Sequence, residues 1–199
     1  IQHGKTEWNV QKRIQGRIDS SLTEKGRYNA ELLGRSLKDI EFKRFFSSPS
    51  KRATDTAKLV RWNRDLPIEE AERLFEIHLG EWQGKTHAEI KTQFPKSFDA
   101  YWNRPDEFVN PNGEVFQDVK DRVADFLAEL ERFKGNILIV THGVVIKALY
   151  LHCRNTSVRE IWNTPEILGT SLTIVSVQDG LYEFTLEGSM DHCRTSLVT

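Results

Sequence analysis

The chain has 199 residues, a length that fits one domain and is sufficient to bury a substantial core. Its 28 basic side chains nearly balance 29 acidic ones, so composition gives no reason to expect a nucleic acid or a membrane surface as partner. There is no run of about 18 apolar residues, and the two cysteines are too few for a disulfide framework. We expect one domain over residues 1–199, a monomer or homodimer in the cytoplasm, without metal or cofactor.

The first half of the chain alternates short apolar strands with amphipathic helices, the pattern of a layered α/β domain. Thr23 is the predicted N-cap of a helix that runs to about Ile40. The segment Phe42 to Phe46 is a predicted strand. Ser48 and Pro49 then begin a predicted helix that carries Arg52.

The middle of the chain, from about Phe75 to Asn112, is rich in Trp and Pro and is predicted to be a helical insertion that caps a site. Thr86 with Glu89 has the spacing of a capping box, and so do Ser157 and Glu160, so a helix is expected to begin at each place. A further helix is predicted where apolar residues fall on one helical face, at Phe116, Val119, Val123, Phe126, Leu127, Leu130 and Phe133.

The last third begins with the apolar strand Ile137 to Val140, which follows that helix. The segments Ser171 to Val177 and Leu181 to Leu186, joined by Asp179-Gly180, are predicted to form an antiparallel hairpin at a sheet edge.

Two histidines each stand before a glycine at a predicted strand end. His3 precedes Gly4, and an apolar strand is expected to carry it, which implies residues before Ile1. His142 follows the strand that ends at Val140. Open α/β sheets bind ligands at the carboxyl ends of their strands, and glycine lets the backbone approach a phosphate. Since a neutral imidazole can attack phosphorus without a metal, the pattern predicts one phosphate site containing both histidines.

Five stretches carry motifs in order along the chain. Residues 1–9 resemble R-H-G-x-T-x-W-N, with Gln2 in place of arginine. Residues 13–26 resemble R-x-Q-G-x-x-D-S-P-L-T-x-x-G, with Ser21 for proline. Three shorter stretches match S-S-x-x-x-R-A-x-x-T-A, L-x-E-x-x-x-G-x-W-x-G and V-x-H-G, at residues 47–57, 74–84 and 140–143. Together these motifs resemble those of the histidine phosphatase (phosphoglycerate mutase-like) superfamily, in its broad-specificity phosphatase branch.

The resemblance implies a three-layer α/β/α sandwich with a mostly parallel sheet, an antiparallel edge and a small helical cap. It implies a metal-independent phosphomonoesterase that acts on small phosphorylated metabolites through a phosphohistidine. The implied catalytic residues are His3 as nucleophile, Glu76 as general acid and then base, and Arg52 and His142 as groups that hold the phosphoryl oxygens. The implied substrate-binding positions are Gln2, Gly4, Asn9, Gln15, Gly16 and Gly143.

Gln2 bears directly on activity because an arginine fork binds phosphate through charge-assisted hydrogen bonds, whereas glutamine offers neutral donors. Losing one such contact, worth about 1.5–3 kcal/mol, lowers transition-state binding by about one to two orders of magnitude unless another cation compensates. Lys5 and Arg13 are the candidate substitutes.

The same residues are compatible with other activities. A phosphoglycerate mutase-type transfer and a phosphate-ester-binding pseudoenzyme impaired by Gln2 are the alternatives. His152 to Arg159 also matches the H-C-x5-R signature of cysteine-dependent phosphatases, but it lacks glycine and follows a predicted helix, so we interpret it as coincidental. His78, His87 and His192 are predicted as isolated surface or loop residues, with His78 also a candidate for the pocket beside Glu76.

Overall fold

The structure, a computed structural model, describes residues 1–194. Its strands are β1 (Arg44–Ser47), β2 (Ile68–Glu70), β3 (Ile137–Val140), β4 (Leu172–Gln178) and β5 (Leu181–Ser189). Its α-helices are α1 (Glu7–Val10), α2 (Glu24–Ser36), α3 (Lys51–Arg61), α4 (His87–Gln93), α5 (Pro95–Asn103), α6 (Phe116–Leu130) and α7 (Gly143–Cys153). Short 3₁₀ helices lie at Glu72–Leu74, Gly80–Trp82, Pro105–Glu107, Val158–Asn163 and Asp191–Cys193.

The central sheet has the strand order β2-β1-β3, and its strands are parallel. The N-terminal segment continues this arrangement beside the end of β3, where Gln2 forms a parallel bridge with Thr141. The N–H of Thr141 donates to the carbonyl of Ile1 at 2.9 Å, and the N–H of His3 donates to the carbonyl of Thr141 at 2.9 Å. Both histidines therefore stand at the same edge of the sheet, as the sequence predicted.

The sheet is covered on both faces, which confirms the predicted α/β layering. Side chains alternate along a strand, so Phe45 and Phe46 point to opposite faces. Phe45 belongs to an apolar cluster with α2 and α3 that includes Leu33, Ala53, Ala57 and Val60. Phe46 belongs to a second cluster with α6 and α7 that includes Val119, Val123, Phe126 and Val145.

The predicted hairpin is confirmed as the antiparallel pair β4 and β5, which forms a two-stranded sheet of its own. Its register shifts twice, between Leu172 and Ile174 and between Ile174 and Val175. Such irregularities bend and twist a strand. The hairpin contacts the N-terminal segment just before β4, where the carbonyl of Ser171 accepts the N–H of Gln2 at 3.3 Å.

The segment predicted as a helical insertion contains α4, α5 and two 3₁₀ turns around an aromatic cluster. Trp82 lies at its centre, with ring centroids 5.4 Å from Tyr101 and 5.5 Å from Phe108. The capping box of Thr86 and Glu89 is present at the start of α4. This segment covers the edge of the sheet at which the two histidines stand, because Tyr101 and Leu79 line the same cavity as His3.

Two predicted boundaries differ from the structure. Helix α2 ends at Ser36 rather than near Ile40, and β1 starts two residues later than predicted, at Arg44. A helix does begin after Ser157, as predicted, but it is a 3₁₀ helix without the capping box: the Ser157 side chain makes no cap hydrogen bond, and Glu160 accepts from Asn163 at 2.6 Å. Among residues 1–194, no helix is long and apolar enough to cross a bilayer.

Candidate active site

His3 is buried at the end of the N-terminal segment, with 3% of its surface exposed. Its Nδ1 lies 2.7 Å from the carbonyl oxygen of Gly4, so Nδ1 carries the proton and donates. Its Nε2 consequently carries the lone pair, and it accepts from Nε of Arg52 at 3.2 Å. Burial, with the Arg52 charge adding to it, lowers the pKa of His3 to about 3. The imidazole is therefore neutral and nucleophilic at physiological pH.

His142 lies behind His3, with the ring centroids 5.1 Å apart and the planes inclined by 63°. It is fully buried at the N-cap of α7, and burial lowers its pKa well below the usual range. Its Nε2 contacts Oγ of Ser48 at 2.8 Å and Oγ of Ser50 at 3.2 Å. Its Nδ1 is buried without a hydrogen-bond partner in the described part of the chain.

Arg52 is the largest of the fully buried side chains, and its guanidinium group is held from three directions. Nη2 donates to the carbonyl of Gly16 at 2.7 Å, and Nη1 donates to the carbonyl of Ile18 at 3.0 Å. Nη1 also pairs with Oδ1 of Asp19 at 2.8 Å. Nε donates to Nε2 of His3. These contacts fix the plane of the guanidinium beside the His3 ring.

Asp19 also explains how α3 is capped. Its carboxylate accepts the N–H of Lys51 at 2.8 Å and the N–H of Arg52 at 3.3 Å, which are free donors at the first turn. Ser50 occupies the N-cap position but makes no side-chain cap bond. Because Asp19 supplies the cap, the Ser50 hydroxyl is available to contact His142.

Glu76 faces the same site from the loop that follows the first 3₁₀ helix. Its Oε1 accepts the N–H of Ile77 at 3.0 Å, and its Oε2 accepts the N–H of Val144 at 3.4 Å. Burial raises the pKa of Glu76, although these two bonds and the charge of Arg52 oppose the shift. A carboxyl group with a raised pKa keeps its proton to a higher pH than an exposed glutamate does, which suits a general acid.

A cavity of about 370 Å³ opens in front of these groups. The predicted site residues in its wall are Gln2, His3, Asn9, Gln15, Gly16, Arg52, Glu76 and Gly143. Two predicted residues are placed differently. His142 lies behind the wall, and Gly4 donates its N–H to Oγ1 of Thr56 at 2.9 Å, where a Cβ would come within 2.8 Å of the Gly26 carbonyl. The structure therefore gives Gly4 a close-packing position.

Hydrogen bonds accepted by the side-chain oxygens orient the amides of Asn9 and Gln15 in the cavity wall. Oδ1 of Asn9 accepts the N–H and the hydroxyl of Thr6, both at 2.9 Å, in the capping box of α1. Oε1 of Gln15 accepts the hydroxyl of Ser20 at 3.1 Å. Both contacts leave the amide NH₂ group to donate to a ligand. Gln2 lies over Gly143 at the start of α7, and its Oε1 is buried without a partner among residues 1–194.

Cations line the cavity beyond the histidines. Of the two candidate substitutes for the missing arginine, Arg13 is in the wall, whereas Lys5 is exposed outside it. Nη1 of Arg13 donates to the carbonyl of Gly84 at 2.8 Å. Lys12 and Lys147 also line the cavity, and Nζ of Lys147 donates to Oγ1 of Thr164 at 2.9 Å.

The structure also places the three remaining predicted histidines and the H-C-x5-R segment. His87 is exposed on the surface, as predicted, and it also lines the cavity. His192 is buried against Thr170, so the prediction of an isolated surface or loop residue is wrong there. Within the described residues the cavity wall does not include His78. Cys153 ends α7, and burial raises the pKa of its thiol to about 12, which agrees with setting the H-C-x5-R match aside.

Comparison with known proteins identifies the family of the chain. The model of the histidine phosphatase superfamily (branch 1) matches residues 1–188. The chain belongs to this superfamily. It is 33% identical over 185 residues to phosphoglycerate mutase-like protein 4 of Arabidopsis thaliana, covering 90% of this chain and 79% of that protein. It is 32% identical over 187 residues to the metal-independent phosphoserine phosphatase of the same plant, covering 90% of this chain and 75% of the relative.

A solved structure of this superfamily also matches closely. Bacillus stearothermophilus YhfR superimposes with a TM-score of 0.92 at 43% identity, covering 96% of each chain. Superfamily membership and relatives named as phosphatases support phosphatase activity for this chain.

Reasoning from sequence missed four groups that the structure places around the site. Ser48 and Asp19 lie within recognised motifs, so their positions carried a signal, but no role was attached to them. Lys147 and Thr170 lie outside those motifs. The sequence offered no signal for Thr170, because its contacts join segments about 170 residues apart along the chain.

Proposed function

We propose that this protein hydrolyses monoesters of small phosphorylated metabolites through a phosphohistidine formed on Nε2 of His3. The observation that carries the proposal is the hydrogen bond from Nδ1 of His3 to the Gly4 carbonyl, at 2.7 Å. It assigns the lone pair to Nε2, beside Arg52 and the cavity. The lowered pKa of His3 keeps that lone pair available.

In the first step, Nε2 of His3 attacks phosphorus and the bond from phosphorus to the ester oxygen breaks. The departing oxygen takes the bonding pair and receives the proton of the Glu76 carboxyl group, so a neutral alcohol leaves. Nε2 stops accepting from Nε of Arg52 when its lone pair forms the bond to phosphorus. That N–H can then donate to a phosphoryl oxygen, which gives Arg52 a contact that strengthens as the reaction proceeds.

In the second step, water attacks the phosphohistidine. The Glu76 carboxylate, which lost its proton in the first step, takes a proton from the water. The bond from phosphorus to nitrogen breaks, its electron pair returns to Nε2, and inorganic phosphate is released. The enzyme is then in its starting protonation state, and no other reactant is consumed.

The phosphoryl oxygens in this proposal are held by donors from several elements. Arg52 contributes charge, and the Asn9 and Gln2 amides in the cavity wall contribute neutral donors. The first turn of α7, at Gly143, adds backbone N–H groups and the positive end of the helix dipole. An amide can donate a hydrogen bond to a phosphoryl oxygen without carrying a charge. This supports a site that works with Gln2 in place of arginine.

The cavity supports a small ester. Its volume of about 370 Å³ lies near the lower end of the usual range for small-molecule sites. Its outer wall combines apolar side chains, including Leu79 and Trp162, with the cation of Lys147. The names of the plant relatives, a phosphoserine phosphatase and a phosphoglycerate mutase-like protein, suggest small phosphorylated acids as first substrates to assay.

The test is hydrolysis of p-nitrophenyl phosphate in excess chelator by the chain, by H3A and by Q2R, with C153S as control. We expect turnover by the chain, by Q2R and by C153S, none by H3A, and an acid-labile phosphoenzyme in quenched samples. Turnover by Q2R alone would identify the chain as a binding protein. Phosphate transfer to an added acceptor in place of release would favour the mutase reaction. Activity of H3A would refute the phosphohistidine.

A further inference from the structure

Thr170 is a β-branched residue with left-handed backbone geometry, directly against the loop that carries the nucleophile. Its φ is +68° and its side chain is fully buried. Its N–H is shared between the carbonyls of Gln2, at 3.1 Å, and His3, at 3.3 Å. A β-branched residue rarely adopts such a φ, and it persists there only when the surrounding structure holds it. The contact with the His3 backbone is therefore imposed by its neighbours.

The residues on either side of Thr170 contact the same loop. Gly169 approaches so closely that a Cβ would lie 2.9 Å from the Lys5 nitrogen and 3.4 Å from the carbonyl carbon of Gly4. The Ser171 carbonyl accepts the N–H of Gln2 at 3.3 Å. Residues 169–171 thus contact the backbone of residues 2–5. The Gly4 carbonyl orients the His3 ring, so the position of this backbone sets the direction of Nε2.

The Thr170 side chain is itself held by the last 3₁₀ helix. Its hydroxyl donates to the Gly169 carbonyl at 2.6 Å, so the same oxygen must accept from Nε2 of His192, at 3.2 Å. His192 is buried, with 8% of its surface exposed, and its helix packs against α2. A hydrogen-bonded path therefore runs from His192 through Thr170 to the carbonyl of His3.

We propose that Thr170 and His192 are positioning residues for phosphoryl transfer, which fix the backbone of residues 2–4 and thereby aim Nε2 of His3 at phosphorus. Neither contacts the phosphoryl group. The proposal rests on the proposed role of His3 as nucleophile. Because reacting atoms must lie in near-attack geometry, a small displacement of the ring slows transfer without removing any phosphate-binding group.

The test compares H192F, which keeps an aromatic ring but loses the donor, with H192Q, whose amide places a donor near the former Nε2. The reaction is measured in single turnover, with enzyme saturating over p-nitrophenyl phosphate, because this rate constant does not depend on the fraction of inactive protein. We expect H192F to lower the rate constant by roughly 10- to 100-fold. The inhibition constant for inorganic phosphate should stay within about twofold, and H192Q should restore most of the rate.

A second pair keeps the proposal testable if H192F fails to fold. T170V keeps the side-chain volume but loses the hydroxyl, whereas T170S keeps the hydroxyl, so T170V should be slow and T170S close to the unaltered chain. The control is Y150F, which removes a 3.3 Å contact with Oγ1 of Thr173 on the adjacent strand. It should leave the rate constant unchanged.

Two results would overturn the proposal. Unchanged single-turnover rates in H192F and T170V, with H3A inactive, would refute the positioning role and leave the phosphatase function standing. Weaker phosphate binding in proportion to the lost rate would show general damage to the site. If the unaltered chain is inactive or H3A is active, the proposed function fails first and this inference fails with it.

Discussion

The substitution E76Q separates phosphate esters by their leaving group. An alkyl ester releases a basic alkoxide that needs the Glu76 proton, whereas p-nitrophenyl phosphate releases a stable phenolate that does not. General acid catalysis is worth about 10²- to 10⁴-fold, or about 2.7–5.4 kcal/mol of activation free energy. We therefore expect kcat/KM of E76Q to fall by about that factor for glycerol phosphate, and far less for p-nitrophenyl phosphate.

The structure indicates that this loss will not come from unfolding. The carboxylate accepts one N–H from Ile77 and one from Val144, and glutamine can keep only one of these bonds, at a cost of about 1 kcal/mol. Against that cost, the raised pKa of Glu76 means that folding takes up a proton, so the ionised carboxylate reduces stability above its unfolded pKa. Glutamine removes this penalty, so the melting temperature should change little.

The assay is kcat/KM for both esters as a function of pH. Since the first step needs protonated Glu76, kcat/KM for glycerol phosphate should fall as pH rises through the raised pKa of this group. That limb should disappear in E76Q. The exposed Glu81 in the neighbouring turn provides the control E81Q, which should match the unaltered chain. An equal loss on both esters, or an unchanged pH limb in E76Q, would refute the assignment of Glu76 as general acid.

Three further substitutions test the electrostatics of the site. Q2R should raise kcat/KM by about 10- to 100-fold through one added charge-assisted contact, and an unchanged value would show that other cations already compensate. D19A removes the cap at Lys51 N and the partner of Arg52, so thermal unfolding should show a loss of about 1–2 kcal/mol with lower kcat/KM. Full stability would contradict the capping role. K147M removes a cation from the cavity wall, so KM should rise about tenfold for phosphoserine, which carries a carboxylate, and stay constant for p-nitrophenyl phosphate. A parallel rise for both would instead indicate a distorted cavity.

Local chemistry made much of the fold predictable. The apolar run Ile137–Val140 forms the predicted strand, and the periodic stripe after Phe116 forms α6, because burial of one face decides each element. The turn at Asp179-Gly180 produced the predicted hairpin, with positive φ at both residues. Boundaries were less predictable. The capping box predicted at Ser157 is absent, since the Ser157 side chain makes no cap bond and Glu160 accepts from Asn163.

The sequence by itself determined which residues were predicted for the site. Two histidines at strand ends, the motif around Arg52 and the loop with Glu76 were all recognisable, because each is a short segment whose residue types suit phosphate chemistry. Their convergence in one place follows from the topology of a parallel sheet, in which the carboxyl ends of strands share an edge.

Only the tertiary structure decided the protonation, the pKa and the orientation of those residues. The proton on Nδ1 of His3, the burial that raises the pKa of Glu76 and the capping of α3 by Asp19 all depend on groups distant in sequence. The contact of Thr170 with His3 is the extreme case, since it joins segments about 170 residues apart along the chain. Hydrogen-bond direction and desolvation depend on groups that only the folded chain brings together, so no local sequence pattern encodes them.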